Sequence, residues 1–207
     1  GCAGLAAAAA LRKNGVADVL ILEKDEETGG ILNQCIHNGF GLTTFAQQMS
    51  GPSFAERFHD QAVEAGVMFR TGVMVTQIHS DRTIVCCSKE EGVVKLQTGV
   101  IILAVGCYER NSGAIAIPGD RPAGVITAGL AQKYLNMDGM MVGNRVFILG
   151  SGDIGLIMAR RMTLEGAQVL GVAEVMPYSN GLPRNIQQCL KDYDIPLYLS
   201  HTVTGVH

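Results

Sequence analysis

The sequence predicts an α/β fold built from two copies of one supersecondary unit, and three observations predict it. A glycine turn, a helix and a strand ending in an acid occur twice, in the same register. Glycine accounts for 26 of 207 residues with no collagen-like period, against a usual share of ~7 %, which points to tight turns. Hydrophobic residues make up 47 % and charged residues 17 %, the balance of a chain that packs a core. At roughly 100–200 residues per domain, this length allows one large domain or two small ones.

The first copy opens at Gly1-Cys2-Ala3-Gly4 and continues into Leu5 to Lys13, a run of strong helix formers halted by Asn14-Gly15. The apolar run from Asp18 to Leu22 reads as a buried strand ending in Glu23, nineteen positions after Gly4. From Pro52 to Ala65 a helix is expected, with Phe54, Phe58, Ala62 and Ala65 on one face. Short strands are expected at 67–70, 73–78, 83–87 and 93–96, a small antiparallel β insertion ahead of a further strand at 100–104. Cys86 and Cys87 should face opposite sides of their strand.

The second copy begins with the strand Arg145 to Leu149 and enters Gly150-Ser151-Gly152-Asp153-Ile154-Gly155, a complete Gly-x-Gly-x-x-Gly. A helix runs to Glu165-Gly166, and the strand Val169 to Ala173 ends in Glu174, again nineteen positions after the last glycine. Gly15 and Gly166 each lie eleven positions after that glycine. Strand, glycine turn, helix, strand and terminal acid in this order form a Rossmann-like dinucleotide-binding unit. The glycines serve different ends, with Gly150 permitting the tight turn, Gly152 the close approach of a pyrophosphate, and Gly155 the close packing of helix on strand. Asp153 and Ile154 open the helix whose free N–H groups and positive dipole end face the phosphates. Glu174 would accept from the adenosine ribose hydroxyls and repel a 2′-phosphate, and no arginine follows it, so NAD is favoured over NADP. In the first copy Gly1 and Gly4 take the places of the second and third glycines, and Glu23 holds the other ribose. Because the chain starts inside this motif, it is expected to be a fragment of a longer protein.

Two such units about 140 residues apart resemble the flavoproteins of the pyridine nucleotide-disulfide oxidoreductase superfamily. Glu23-Lys24 and Gly29-Gly30-Ile31-Leu32 are similar to the family's ribose acid and flavin-facing loop. Ile101 to Gly106, which includes Ala104, is similar to its Ala-Thr-Gly strand, with Val105 in place of threonine. Ile117-Pro118-Gly119 and Gly124 to Ala128 resemble the crossover into the NAD domain. The segment 29–41 and the stretch Ile148 to His201 look like a bacterial subgroup of NAD(P)/FAD-dependent oxidoreductases associated with anaerobic glycerol-3-phosphate dehydrogenase. The resemblance implies an FAD-binding domain over 1–117, with its N-terminal strand and C-terminal return outside the chain, and a partial NAD(P)-binding domain over 118–207. It implies FAD contacts at Gly1, Gly4, Glu23, Lys24, Gly30, Ile31, Val75, Ala104 and Gly106. It implies NAD contacts at Gly150, Gly152, Asp153, Ile154, Gly155 and Glu174.

One departure decides the chemistry. Disulfide reductases of this superfamily carry Cys-x-x-x-x-Cys or Cys-x-x-Cys, and neither spacing occurs among Cys2, Cys35, Cys86, Cys87, Cys107 and Cys189. Cys35 is the single thiol in the flavin-facing region. It is a candidate catalytic thiolate, or else a small side chain packed beside the cofactor. The expected activity is hydride transfer between NAD(P)H and flavin and on to a small-molecule substrate or electron acceptor. The alternatives are a flavin-containing component of an amine, opine or glycerol-3-phosphate dehydrogenase complex, with a dehydrogenase partner subunit, and a non-catalytic nucleotide-binding scaffold.

Other classes recede. Net charge is −3 with scattered basic residues, so nucleic acid and anionic membrane are not expected partners. No apolar run approaches the ~20 residues of a transmembrane helix and no signal segment opens the chain, so a cytoplasmic protein is expected. No histidine is paired with an acid at ligand spacing, and no nucleophile elbow or Walker loop is present, so no metal, hydrolase or kinase site is read.

Overall fold

The computed structural model describes residues 1–207, which divide into two compact units, Gly1–Cys107 and Tyr108–His207. In the first, α1 (Cys2–Lys13) is followed by β1 (Leu20–Leu22), a 3-10 helix over Gly30–Gln34, β2 (Asn38–Phe40), α2 (Leu42–Phe45), β3 (Met49–Ser50) and α3 (Gly51–Glu64). β4 (Met68–Arg70), β5 (Met74–Ile78), β6 (Thr83–Ser88) and β7 (Gly92–Gln97) complete it. α1 stops at the signal its sequence carries: Asn14 caps it and Gly15 turns away at φ +88°, a conformation open to glycine at little cost. Ser50 caps α3, its hydroxyl accepting from Ser53 N–H, and Pro52 sits in the first turn, where its missing donor is harmless.

β1 pairs in parallel with β4, so α1 and α3 pack their apolar faces together over this ribbon. Leu5, Ala8, Ala9, Val19, Ala62 and Val67 form the core, with Phe58 and Phe69 against it. The expected antiparallel insertion is present as β5–β6–β7, whereas the strand expected at 67–70 does not join it: β4 pairs in parallel with β1 instead. Cys86 is fully buried and Cys87 half-buried, as alternation on a strand requires.

The expected strand at 100–104 does not form. A strand exists through its ladder, and the one parallel pair in this unit is β1–β4. The segment runs unpaired with Val100 80 %, Leu103 67 % and Val105 85 % exposed.

In the second unit, α4 (Ala128–Asn136), β8 (Arg145–Leu149), α5 (Asp153–Leu164), β9 (Gln168–Glu174), α6 (Pro183–Cys189) and β10 (Leu197–Leu199) follow in order. The three strands form a parallel sheet in the order β10-β9-β8, each new strand added on one side. Leu156, Met158, Ala159 and Met162 on α5 meet Val172 on β9 and Leu190 after α6 in a single core. Residues ahead of α4 belong to this unit through two contacts. The Glu109 carboxylate accepts from the Gly129 N–H at 2.6 Å. Val206 N–H donates to Pro118 and Asp120 N–H donates to Val206, making a parallel bridge at Gly119. This is an α/β protein with Rossmann-like units and small antiparallel sheets.

Candidate functional site

The second unit presents its site where β8 and β9 end. Gly150 leaves β8 at φ +104°, and its N–H donates to Ala173 across the sheet at 2.7 Å. Gly152 is the N-cap of α5 in an ordinary extended conformation, and a Cβ built there would meet no atom within 4 Å. The space in front of it is open, and the unpaired N–H groups of the first helical turn face the same end. Gly155 differs: a Cβ there would overlap the Gly150 carbonyl oxygen, so only glycine lets α5 sit this close to the turn. The three glycines thus meet three different surroundings: a positive φ at Gly150, open space at Gly152 and a close backbone at Gly155.

Glu174 closes β9 and is 5 % exposed. Its Oε2 accepts from the Ser151 hydroxyl at 2.7 Å and the Ser151 N–H at 3.1 Å, and its Oε1 accepts from the Met176 N–H at 3.0 Å. Burial pushes its pKa up, but hydrogen bonds from Met176, Ser151 and Val175 outweigh burial and hold the carboxyl below its ordinary range. Beside it lies a cavity of about 370 Å³ lined by Gly150, Glu174 and Val175, with Ile115, Ala116, Ile117, Thr202 and Val203 as further walls. That size and lining suit part of a nucleotide.

Asp153 opens α5, yet its Oδ1 is turned to the Leu182 N–H and the Asn185 side chain, each at 2.8 Å. It ties the start of α6 to the start of α5, leaving its backbone N–H for any phosphate. Ile154 follows it, partly exposed. The residue that sequence reasoning passes over is Ser151, an "x" of the motif; periodicity cannot show that its hydroxyl reaches an acid twenty-three positions on. Ser179 joins the same group, donating to the Ser151 carbonyl at 3.0 Å.

In the first unit the expected residues also gather. Gly1 is the N-cap of α1, and its nitrogen lies 3.5 Å from Glu23 Oε2. Gly30, at φ +61°, lies so close to Gly1 that a Cβ would be 3.2 Å from its Cα. A Cβ on Gly4 would be 3.4 Å from that of Ala104. The Glu23 backbone is bonded on both sides, its N–H donating to the Arg70 carbonyl and its carbonyl accepting from the Val73 N–H, each at 2.9 Å, while Val75 stands opposite Cys86 in β5. Lys24 pairs with Asp25 at the surface, and Gly106 turns at φ +69° in open space. The loop before the 3-10 helix is braced twice. Asn33 donates to the Thr28 carbonyl, and the Thr28 hydroxyl and His59 Nδ1 share a hydrogen bond, both at 2.9 Å. Within the 3-10 helix, Ile31 is exposed and its carbonyl accepts from the Cys35 thiol at 3.3 Å. Cys35 is buried, and burial pushes its pKa up.

Comparison with known proteins agrees with this geometry. Hydrogen cyanide synthase subunit HcnB of Pseudomonas protegens is 27 % identical over 183 residues, 84 % of this chain and 36 % of that protein. An opine oxidase subunit from Agrobacterium tumefaciens is 26 % identical over 198 residues, 92 % of this chain and 39 % of that protein. The chain therefore spans less than half the length of these curated relatives. Bacillithiol disulfide reductase Bdr from Bacillus cereus has the same fold, with a TM-score of 0.73 over 99 % of this chain and 67 % of that one, at 15 % identity. The profile of the pyridine nucleotide-disulphide oxidoreductase family matches residues 1–207. Two glycine-capped helices, each answered by an acid at the end of the next strand, and a family match along the whole chain lead to one conclusion: the chain belongs to the pyridine nucleotide-disulphide oxidoreductase family, whose members bind FAD and NAD(P).

Proposed function

We propose that this chain is the nucleotide-holding part of an FAD-dependent oxidoreductase that takes hydride from NADH and passes it on without a dithiol of its own. The observation that carries the reading is the open space before Gly152 beside a buried, charged Glu174. A pyrophosphate fits where a Cβ would meet nothing, and a carboxylate fixed at the strand end accepts from ribose hydroxyls while opposing a 2′-phosphate. In the first unit, Gly1, Gly4, Gly30 and Glu23 would hold FAD in the corresponding way, with Ala104 against Gly4.

When bound, the nicotinamide and flavin supply the hydride chemistry itself. The residues bind and orient: glycines admit the phosphates, acids fix the riboses, and the braced Thr28–Asn33 loop fixes the backbone around Gly29 and Gly30. Cys35 enters this reading as a neutral, packed thiol. It is buried with a raised pKa, which keeps thiolate scarce near neutrality. Cys35→Ser is therefore expected to leave reduction by NADH intact, and loss of that reduction would restore the thiol to the chemistry.

A second reading, in which electrons leave through a partner subunit, is favoured by two relatives that are themselves named as subunits, one of a synthase and one of an oxidase. Absorbance spectra of the whole protein, before and after anaerobic NADH, test the proposal. A band at ~450 nm that bleaches is expected. A yellow protein indifferent to NADH and NADPH would move the weight to partner-dependent electron flow, and a colourless one to a nucleotide-binding scaffold. No helix of the chain is long and apolar enough to cross a membrane.

A further inference from the structure

The hydroxyl of Ser151 is fully buried and has no part in the glycine pattern, yet it makes the shortest bond to Glu174. We propose that Ser151 is the positioning residue that sets nucleotide choice in the second unit, by fixing the Glu174 carboxylate so that it accepts from an unmodified ribose and refuses a 2′-phosphate. The inference rests on the proposed binding of NADH at this site.

The geometry gives three reasons. A glutamate has three rotatable bonds, and a charged head left to them would swing between cavity and solvent. Here Oε2 receives two donors from one residue, the Ser151 N–H and hydroxyl, while Oε1 receives the Met176 N–H. These bonds pin the carboxylate plane at the wall of the cavity that Gly150 and Val175 also line. Of the donors to this carboxylate, which include the backbone of Val175, only the Ser151 hydroxyl belongs to a side chain, so it is the one that sequence can change without altering the backbone. Ser151 is itself held in place: its carbonyl accepts from Ser179, whose hydroxyl also accepts from the Gly181 N–H. The loop after Glu174 is thereby tied back onto the glycine turn.

The hydroxyl also keeps the acid charged. Donors to the ionised form oppose the effect of burial, and a protonated Glu174 would offer a 2′-phosphate a hydrogen-bond donor in place of a repelling charge. Removing the hydroxyl should thus weaken NADH binding and relax the exclusion of NADPH together. A general loss of structure would weaken both nucleotides alike.

The test is direct titration of the whole protein with NADH and with NADPH, followed by nucleotide fluorescence, for the wild type, Ser151→Ala and Ser151→Cys. Wild type is expected to prefer NADH. Ser151→Ala should lower the NADH-to-NADPH affinity ratio about tenfold, the scale of one hydrogen bond to a charged group. Ser151→Cys, close in shape but a weaker donor, should fall between them. If the wild type prefers NADH and Ser151→Ala keeps the same ratio, the role of Ser151 is overturned while the NADH reading stands. If the wild type binds neither nucleotide, the NADH reading itself fails, and this inference with it. Should Ser151→Ala not fold, the ratio measured for Ser151→Cys decides: unchanged from wild type, it overturns the proposal.

Discussion

Gly152 and Gly155 lie three residues apart and answer to different constraints. At 152 the backbone is ordinary and the space is empty, so Gly152→Ala should leave the melting temperature within about a degree while NADH affinity falls at least tenfold, roughly 1.4 kcal/mol. At 155 an added Cβ overlaps a backbone oxygen that cannot move aside, so Gly155→Ala should cost about 1–3 kcal/mol of stability, seen as a melting shift of several degrees. Both glycines are legible in the sequence as members of one motif, and their different constraints follow from the turn that brings Gly150 against α5. Glu174 is legible as an acid after a strand. Its burial and donors are not, because they depend on Ser151 and Met176 folding over it. Its pKa is lowered in the folded chain, so its contribution is complete above the ordinary carboxylate range and is lost as pH falls through the lowered value. Urea unfolding of wild type and Glu174→Gln should differ by about 1.5–3 kcal/mol at pH 7, and the gap should narrow below the ordinary carboxylate range and close as pH falls through the lowered value.

At the scale of elements, segments bounded by their own sequence signals are legible, and those that depend on a distant neighbour are not. α1, α3, α5, β8 and β9 carry their own start and stop signals, so local sequence suffices. β2, α2 and β3 hold two to four residues each and form because Asn38–Phe40 meets Met49–Ser50 over the Phe54 and Phe58 face of α3. The apolar run at 100–104 has the composition of a buried strand, but pattern cannot supply a neighbour for its ladder. Contacts between elements also position the first unit's loop. His59 on α3 lies tilted against Phe69 of β4 and bonds Thr28, linking helix, strand and glycine loop. His59→Ala should cost about 1 kcal/mol, and flavin content per chain should drop with it. Flavin content equal to wild type would show that the brace does not position the loop. In the second unit Leu156 is fully buried between α5 and its neighbours, so Leu156→Ala should cost about 2–5 kcal/mol in a denaturant titration.

For the whole molecule, the division into two units with separate cores means that stabilisation by a ligand can be local. NADH at a hundred times its Kd adds about 2.7 kcal/mol to whatever it binds. Amide exchange should slow in α5 and β9 and not in α1 and α3; equal slowing in both would show that the units open as one. Thr202 and Val203 wall the cavity, yet they belong to no helix or strand. Ser200 and His201 hold one side by bonding Met176 and Glu174, and the bridge at Gly119 holds the other. A Cβ at 119 would run into the Val206 carbonyl, so the bridge closes only over glycine. Gly119 thus acts as a buckle for the segment 202–206 that it meets across the sequence, and the cavity is as firm as that buckle. Loosening it should open the backbone around residue 202 to proteolysis, with the cavity losing a wall although no residue at the glycine turn has changed.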